Sequence, residues 1–431
     1  MRILLLGAGG FIGSALARAL IADGHSLRAV GRNLDHGRSL LPDAEWLFCD
    51  LRRMRNARDW LPFVEGVDAV INASGALQSG LRDDVRRVQQ QAILALIEAS
   101  LGAQRPHVIQ ISAPEAERQA SDFMQSKARA DAALVSSGLA YTIIRPGLVI
   151  GRNCFGGTEM IRAAAGLPAG VEIGGTGPIQ SVALVDVVDA VRSALADPGA
   201  VTGSFDLVEA QPRSLGEIIA LHRAWLSIPP PRVTLRVLVK LLRPVTLFAD
   251  ALGWFGWRSP LRSNALEALV CGVRGNADHA AALLGRTPTP LPETLARMGA
   301  AGKADRWHAR IAPLFPLCLA ALFVLWLAGG VFGLMRPDQA AALLTAGGVD
   351  LLAARLAVIL GSVADLAIAL GLLFRPTAKA ALGAGAALAA AYAIGAAFVR
   401  PDLWLDPLGP MVKLLPLVAM MLLCRALLEE R

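Results

Sequence analysis

The residues with the clearest chemical reading stand near the start of the chain, in Gly7-Ala8-Gly9-Gly10-Phe11-Ile12-Gly13. Gly7 permits a tight turn, Gly10 lets main-chain amides approach a diphosphate, and Gly13 lets a helix pack closely on the strand before it. Phe11 and Ile12 open that helix, where unpaired amides and the positive end of the helix dipole attract phosphate. The segment reads as a dinucleotide cradle, with a purely structural turn as the plainer alternative. An acidic residue at the end of the second strand would hold the ribose 2′-hydroxyl of NAD. The chain instead has Arg32, in Ala29-Val30-Gly31-Arg32-Asn33. Arginine pairs with a 2′-phosphate, so NADP is preferred over NAD, against the alternative of a solvated surface arginine.

A second group with chemical potential is Asp365, which lies inside an apolar run. Ionisable groups in such runs are costly and face a bundle interior or a partner, so proton or quinone handling stands beside a structural interhelical hydrogen bond. Cys49, Cys154, Cys271, Cys318 and Cys424 are isolated, with no CxxC pair and no histidine at ligand spacing. That pattern argues for no metal and no disulfide framework, as in a reducing cytoplasm. Lys and Arg outnumber Asp and Glu by 42 to 35 but are scattered without a basic stripe, so no nucleic acid is expected as partner.

Positioning these groups takes two different kinds of element. Short apolar runs at Arg2–Leu6, Leu27–Val30, Trp46–Phe48, Ala69–Ile71, Val108–Ile111 and Thr142–Ile144 alternate with helical stretches such as Val85–Ser100 and Ser126–Ser136. Strands alternating with helices imply an α/β fold, a Rossmann-type doubly wound parallel sheet. Its nucleotide part spans about 1–150, and a smaller C-terminal lobe, about 151–300, completes a domain of 1–300. The remainder, 301–431, contains apolar segments at about 312–335, 351–374, 380–399 and 409–428. Each approaches the roughly 20 residues that cross a bilayer, so an all-α four-helix transmembrane bundle is expected, with the lipid bilayer as partner. Lys303, Arg306 and Arg310 share a side with the Arg375–Lys379 turn. The positive-inside rule then puts a multi-pass protein in the cell inner (plasma) membrane with its N-terminal domain in the cytoplasm.

Further motifs follow the strands: Cys49-Asp50-Leu51 after the third, Asn72-Ala73-Ser74-Gly75 after the fourth, and Arg145-Pro146-Gly147 after the sixth. With GAGGFIG, they resemble extended and atypical members of the short-chain dehydrogenase/reductase superfamily, the group of the complex I nucleotide-binding accessory subunit and NmrA-like proteins. The resemblance covers about residues 1–300. It implies that Asp50 and Leu51 lie at the adenine, Asn72, Ala73, Ser74 and Gly75 beside the nicotinamide ribose, and Pro146 on the nicotinamide side. It also implies serine, tyrosine and lysine chemistry, with the tyrosine as acid or base and the lysine lowering its pKa. Ser112 matches the serine, although a strand-end hydroxyl satisfying local backbone is an equal reading. Lys127, in Phe123-Met124-Gln125-Ser126-Lys127, matches the lysine and is placed to bond the nicotinamide ribose. The tyrosine position is Phe123, which cannot exchange a proton, and the chain's tyrosines are Tyr141 and Tyr392.

Over about residues 311–428, Gly361-Ser-Val-Ala-Asp365-Leu, Gly371-Leu-Leu and Trp404-Leu-Asp406-Pro-Leu-Gly-Pro-Met-Val-Lys413 resemble the DoxX-like membrane family, which implies quinone or thiol redox systems. The combined expectation is a membrane-anchored NAD(P)-binding protein that acts as an NADPH-dependent oxidoreductase on a quinone or other membrane-associated acceptor. The alternative is a non-catalytic NAD(P)-binding assembly or redox-sensing protein.

Overall fold

A computed structural model describes residues 1–75, 80, 84–118, 121–199, 201–257, 259 and 261–429. The strands are β1 (Arg2–Leu6), β2 (Ser26–Gly31), β3 (Glu45–Phe48), β4 (Ala69–Asn72), β5 (His107–Ile111), β6 (Tyr141–Pro146), β7 (Leu148–Ile150), β8 (Gly170–Gly174), β9 (Ser181–Ala183), β10 (Gly203–Leu207) and β11 (Thr234–Leu238). Seven form one sheet in the order β10-β6-β5-β4-β1-β2-β3, and every recorded pairing in it is parallel. β1 lies between β2 and β4, with Leu6 opposite both Val30 and Asn72. The connections leave in opposite senses at this point, which opens a crevice at the carboxyl ends of the strands.

The alternation of β1 explains the two layers of helices. Ile3 and Leu5 join one core with the Phe11–Ala22 and Leu184–Ala196 helices; Leu4 and Leu6 join the other with the Ala57–Val64, Ala92–Gly102 and Asp122–Ser136 helices. These four side chains of β1 are fully buried, and each contributes about 1.5–3 kcal/mol of hydrophobic stabilisation. A strand apolar on both faces is stable only when both are covered, so the local sequence of β1 demands the doubly wound arrangement.

The smaller lobe has its own core around Ile150, Ile161, Ile218 and Leu291, with parallel pairs β7–β9 and β8–β11. The chain divides into two compact units, Met1–Ala251 with Ser259–Ala309, and Leu252–Arg258 with Arg310–Arg431.

Among the described residues, three helices of the C-terminal region, Lys303–Met335, Leu351–Leu373 and Arg375–Val399, are long and apolar enough to cross a membrane. Asp350 caps the second by accepting from the Leu352 and Ala353 amides at 3.0 and 3.2 Å. The expected fourth span at 409–428 is shorter than its apolar run: its helix is Leu414–Glu429, 16 residues. At 1.5 Å per residue that is about 24 Å, against about 30 Å of hydrocarbon. Proline at 407 and 410 and a left-handed Gly409 (φ +59°) delay the helix start.

Candidate functional site

The turn after β1 is shaped by backbone crowding. Gly7 adopts φ +78°, where side chains are strained. A Cβ on it would stand 2.6 Å from the Ala73 carbonyl oxygen and 2.8 Å from Ser74 N. A Cβ on Gly13 would overlap the Gly7 carbonyl oxygen, so helix and strand meet main chain to main chain. The Gly10 amide donates to the Gly7 carbonyl at 2.8 Å and closes the turn. The helix beginning at Phe11 has no side-chain cap and no acidic residue in its first turn. The amides of Phe11, Ile12 and Gly13 thus keep their donor capacity for an anion, which is the fit a dinucleotide diphosphate requires.

Arg32 is exposed one residue beyond β2. After β3, Asp50 is buried and accepts from the Arg52 guanidinium in a bidentate pair, at 2.7 Å for the shortest contact. That bond, chiefly, holds the Asp50 carboxyl below its ordinary range, with Arg32 adding to the effect. Arg52 escaped the sequence reading, although its place two residues after Asp50 was visible. Leu51 packs partly buried against the core beside β3.

At the end of β4, Asn72 is buried; its amide donates to Gln110 Oε1 at 2.8 Å, and its own oxygen accepts from Ser74 N at 3.0 Å. Ala73 N donates to Leu6 O at 3.1 Å, which pins the loop to Ser74 and Gly75 beside the glycine turn. Pro146 ends β6, buried and opposite Leu207. Every one of these positions lies at the carboxyl edge of the sheet.

Ser112 follows β5, and Lys127 lies on the Asp122–Ser136 helix that packs beside the end of that strand. Lys127 Nζ donates to the Ile111 carbonyl at 2.8 Å and stands 5.6 Å from the centre of the Phe123 ring. Burial lowers the ammonium to about 8, partly opposed by the charge of Asp131. Ser112 Oγ donates to Asp131 Oδ2 at 2.6 Å, and Arg145 Nε lies 3.6 Å from the same oxygen. Burial raises the Asp131 carboxyl to about 6 against the pull of Ser112, Lys127 and Arg145. Asp131 was not singled out from the sequence, though it follows Lys127 by four residues and so shares its helix face. Arg145 also reaches Glu117 at 3.2 Å and lines a cleft of about 290 Å³ with Glu115, Asp206, Gly275 and Asn276.

In the second unit, Asp365 accepts a 2.9 Å hydrogen bond from the Tyr392 hydroxyl on the next helix. A Cβ on Gly329 would stand 2.9 Å from its other oxygen. Glycine at 329, and likewise at 333 facing Ser362, lets these helices approach closely. Among the described residues there is no cluster of His, Cys, Asp and Glu able to hold a metal.

Comparison with known proteins follows this division. A family profile described as NAD(P)H-binding matches residues 7–198, and one described as DoxX-like matches 323–422. A Bacillus subtilis (strain 168) protein named "Uncharacterized sugar epimerase YhfK" is 30% identical over 218 residues, covering 48% of this chain and 94% of the relative. "Sterol demethylase protein B" of Methylococcus capsulatus is 26% identical over 320 residues, covering 67% and 94%. The crystal structure of Citrobacter sp. triphenylmethane reductase complexed with NADP(H) superposes with a TM-score of 0.52 at 20% identity, covering 69% of this chain and all of that one, a likeness of fold.

Proposed function

Because the chain belongs to the NAD(P)H-binding family of epimerase and reductase type and continues into a DoxX-like membrane domain, we propose that it is a membrane-anchored oxidoreductase that prefers NADPH and reduces a quinone or another membrane-associated acceptor. The observation that carries this reading is Lys127 beside Phe123: the buried ammonium that would hold a nicotinamide ribose is kept, while the hydroxyl that would exchange a proton is gone. A reduced nicotinamide bound there supplies a hydride. Lys127 holds and orients, the amides of the glycine turn grip the diphosphate, and no phenol is at hand to protonate an alkoxide. An acceptor that draws its protons from solvent, as a quinone does, suits such a site. The sterol in the name of one relative supports an apolar acceptor. The sugar epimerase in the name of the other is not carried over, because that chemistry needs the missing tyrosine. Arg32 favours a 2′-phosphate, hence NADPH. Lys303, Arg306 and Arg310, with the Arg375–Lys379 turn, favour an inner-membrane protein whose N-terminal unit is in the cytoplasm.

Phe123 also favours a second reading, a non-catalytic NAD(P)-binding assembly or redox-sensing protein. Purified full-length protein in mild detergent separates the two. NADPH oxidation that depends on an added short-chain quinone supports the reductase, whereas tight NADPH binding without turnover across a quinone series leaves only the sensor. Failure to bind either pyridine coenzyme would sink both.

A further inference from the structure

The Arg243–Trp254 helix has the opposite polarity from that of a soluble surface helix. Pro244, Leu247, Phe248, Ala251 and Trp254 are exposed along one stripe, with Leu247 at 66%, Phe248 at 67% and Trp254 at 71%. The opposite face, Thr246, Ala249 and Gly253, is buried. The stripe carries no charge, and Asp250, the one acid in the helix, is tied to Arg262 at 2.8 Å. A soluble monomer does not ordinarily leave so continuous an apolar face in water.

Two further observations say what covers it. The chain from Leu252 to Arg258 belongs to the same compact unit as the apolar spans. Within that unit Trp257 Nε1 donates to Leu373 O at 2.7 Å, Arg375 N donates to Phe255 O at 3.0 Å, and the Phe255 and Phe374 rings meet edge to face at 5.1 Å. Residues 373–375 are the turn between two membrane-length helices, so the helix at Trp254 ends next to a segment fixed at a span terminus. Trp254 itself is of the type that settles at the membrane–water interface. Charge agrees: the stretch from 218 to 249 contains no acidic residue, and Arg232, Arg236, Lys240 and Arg243 are exposed in the chain that leads into the helix, with Arg236 also meeting Glu172 at 2.9 Å.

We propose that the Arg243–Trp254 helix is a monotopic membrane element, its Leu247–Phe248–Trp254 face sunk at the headgroup–acyl boundary and the neighbouring basic residues drawing anionic lipid. The bilayer contact therefore extends beyond the spans to a helix contributed by the smaller lobe. Burial of the apolar face supplies the attraction, and the basic residues add a part that depends on salt and lipid charge.

The test uses the full chain in nanodiscs of phosphatidylcholine, with and without phosphatidylglycerol, doped with a lipid carrying a diazirine on its acyl chain. After illumination, peptide mass spectrometry should find lipid adducts on residues 244–254 as well as on 351–373, with more on 244–254 when phosphatidylglycerol is present. A Leu247→Glu/Phe248→Glu variant should lose the adducts on 244–254 and keep those on 351–373. Wild-type spans labelled with 244–254 blank would overturn the proposal. So would crosslinks joining 244–254 of two copies in place of lipid adducts, since the face would then be a contact between chains.

Discussion

Gly13→Ala tests the diphosphate cradle at its tightest point. The new Cβ would overlap the Gly7 carbonyl oxygen and stand 2.7 Å from its carbon and 3.1 Å from Ala8 Cα. These neighbours are main chain, so no rotamer change can relieve them. To clear the Gly7 carbonyl oxygen as well as its carbon, the helix start must retreat by at least about 1 Å. A hydrogen bond of about 2.9 Å from a first-turn amide to phosphate would then stretch to about 3.9 Å, outside the useful range. Loss of one charge-assisted bond costs about 1.5–3 kcal/mol, or roughly 10- to 150-fold in NADPH affinity. Overpacking adds about 1–3 kcal/mol of destabilisation of the fold. Calorimetric titration with NADPH and thermal unfolding of the detergent-solubilised protein read the two effects separately. Gly9→Ala is the contrast, because its Cβ meets nothing within 4 Å; its melting temperature should match wild type, so any change in affinity must come from the ligand. Wild-type Kd and wild-type Tm in Gly13→Ala would refute the reasoning about this turn.

Three further outcomes follow from the same site. Arg32→Glu should lower NADPH affinity by about tenfold or more while sparing NADH, since the 2′-phosphate then faces a like charge; parallel titrations with both coenzymes check it, and equal losses would remove Arg32 from cofactor choice. Phe123→Tyr should leave NADPH affinity within about threefold and create turnover with ketone test substrates, measured as coenzyme oxidation; no gain at any pH would mean that the pocket lacks more than a hydroxyl. Asp131→Asn should flatten the pH dependence of stability. The Asp131 carboxyl is raised from an ordinary 3.8 to about 6, so the folded chain holds a proton that the unfolded chain releases. Stability from this group is full below about pH 4 and is lost as pH rises through about 6. Melting curves between those values should fall in wild type and lose that component in the variant.

Legibility followed the range of the interactions. The β1 turn could be read because its signals are local: apolar residues on both faces of a five-residue strand, then glycines at turn spacing. Ser112, Phe123 and Lys127 are placed by family spacing; in the structure Lys127 lies over the Phe123 ring and bonds the carbonyl of Ile111, the residue before Ser112. Asp131 carries no local signal of its role, because its partners Ser112, 19 positions away, and Arg145 come from β5 and β6. An acid inside an apolar run announced an interhelical bond at Asp365, but not its partner, since Tyr392 lies 27 residues away on a separate helix. The fourth apolar run was legible as apolar but not as short, because hydropathy does not register the backbone limits set by two prolines and a left-handed glycine.

The electrostatics around Ser112 also separate the two classes of acceptor. When hydride reaches a ketone, the new alkoxide needs a proton at once, and if Phe123 holds the tyrosine's place, as proposed, the hydroxyl that the cluster offers is Ser112. That hydroxyl already donates to Asp131 at 2.6 Å. While Asp131 is ionised, releasing the proton elsewhere means breaking a charge-assisted bond, so Ser112 is a poor donor. Once Asp131 is protonated the bond can reverse, Asp131 donating to Ser112 and Ser112 to the substrate. Its carboxyl titrates at about 6, so ketone turnover, where it occurs, should rise as pH falls through 6 and lose that rise in Asp131→Asn. Quinone reduction, with solvent as proton source, should show no such step. The pH profile of coenzyme oxidation with each acceptor reads the difference directly, and a quinone profile that steps at about 6 and flattens in Asp131→Asn would show that Asp131 supplies the proton after all.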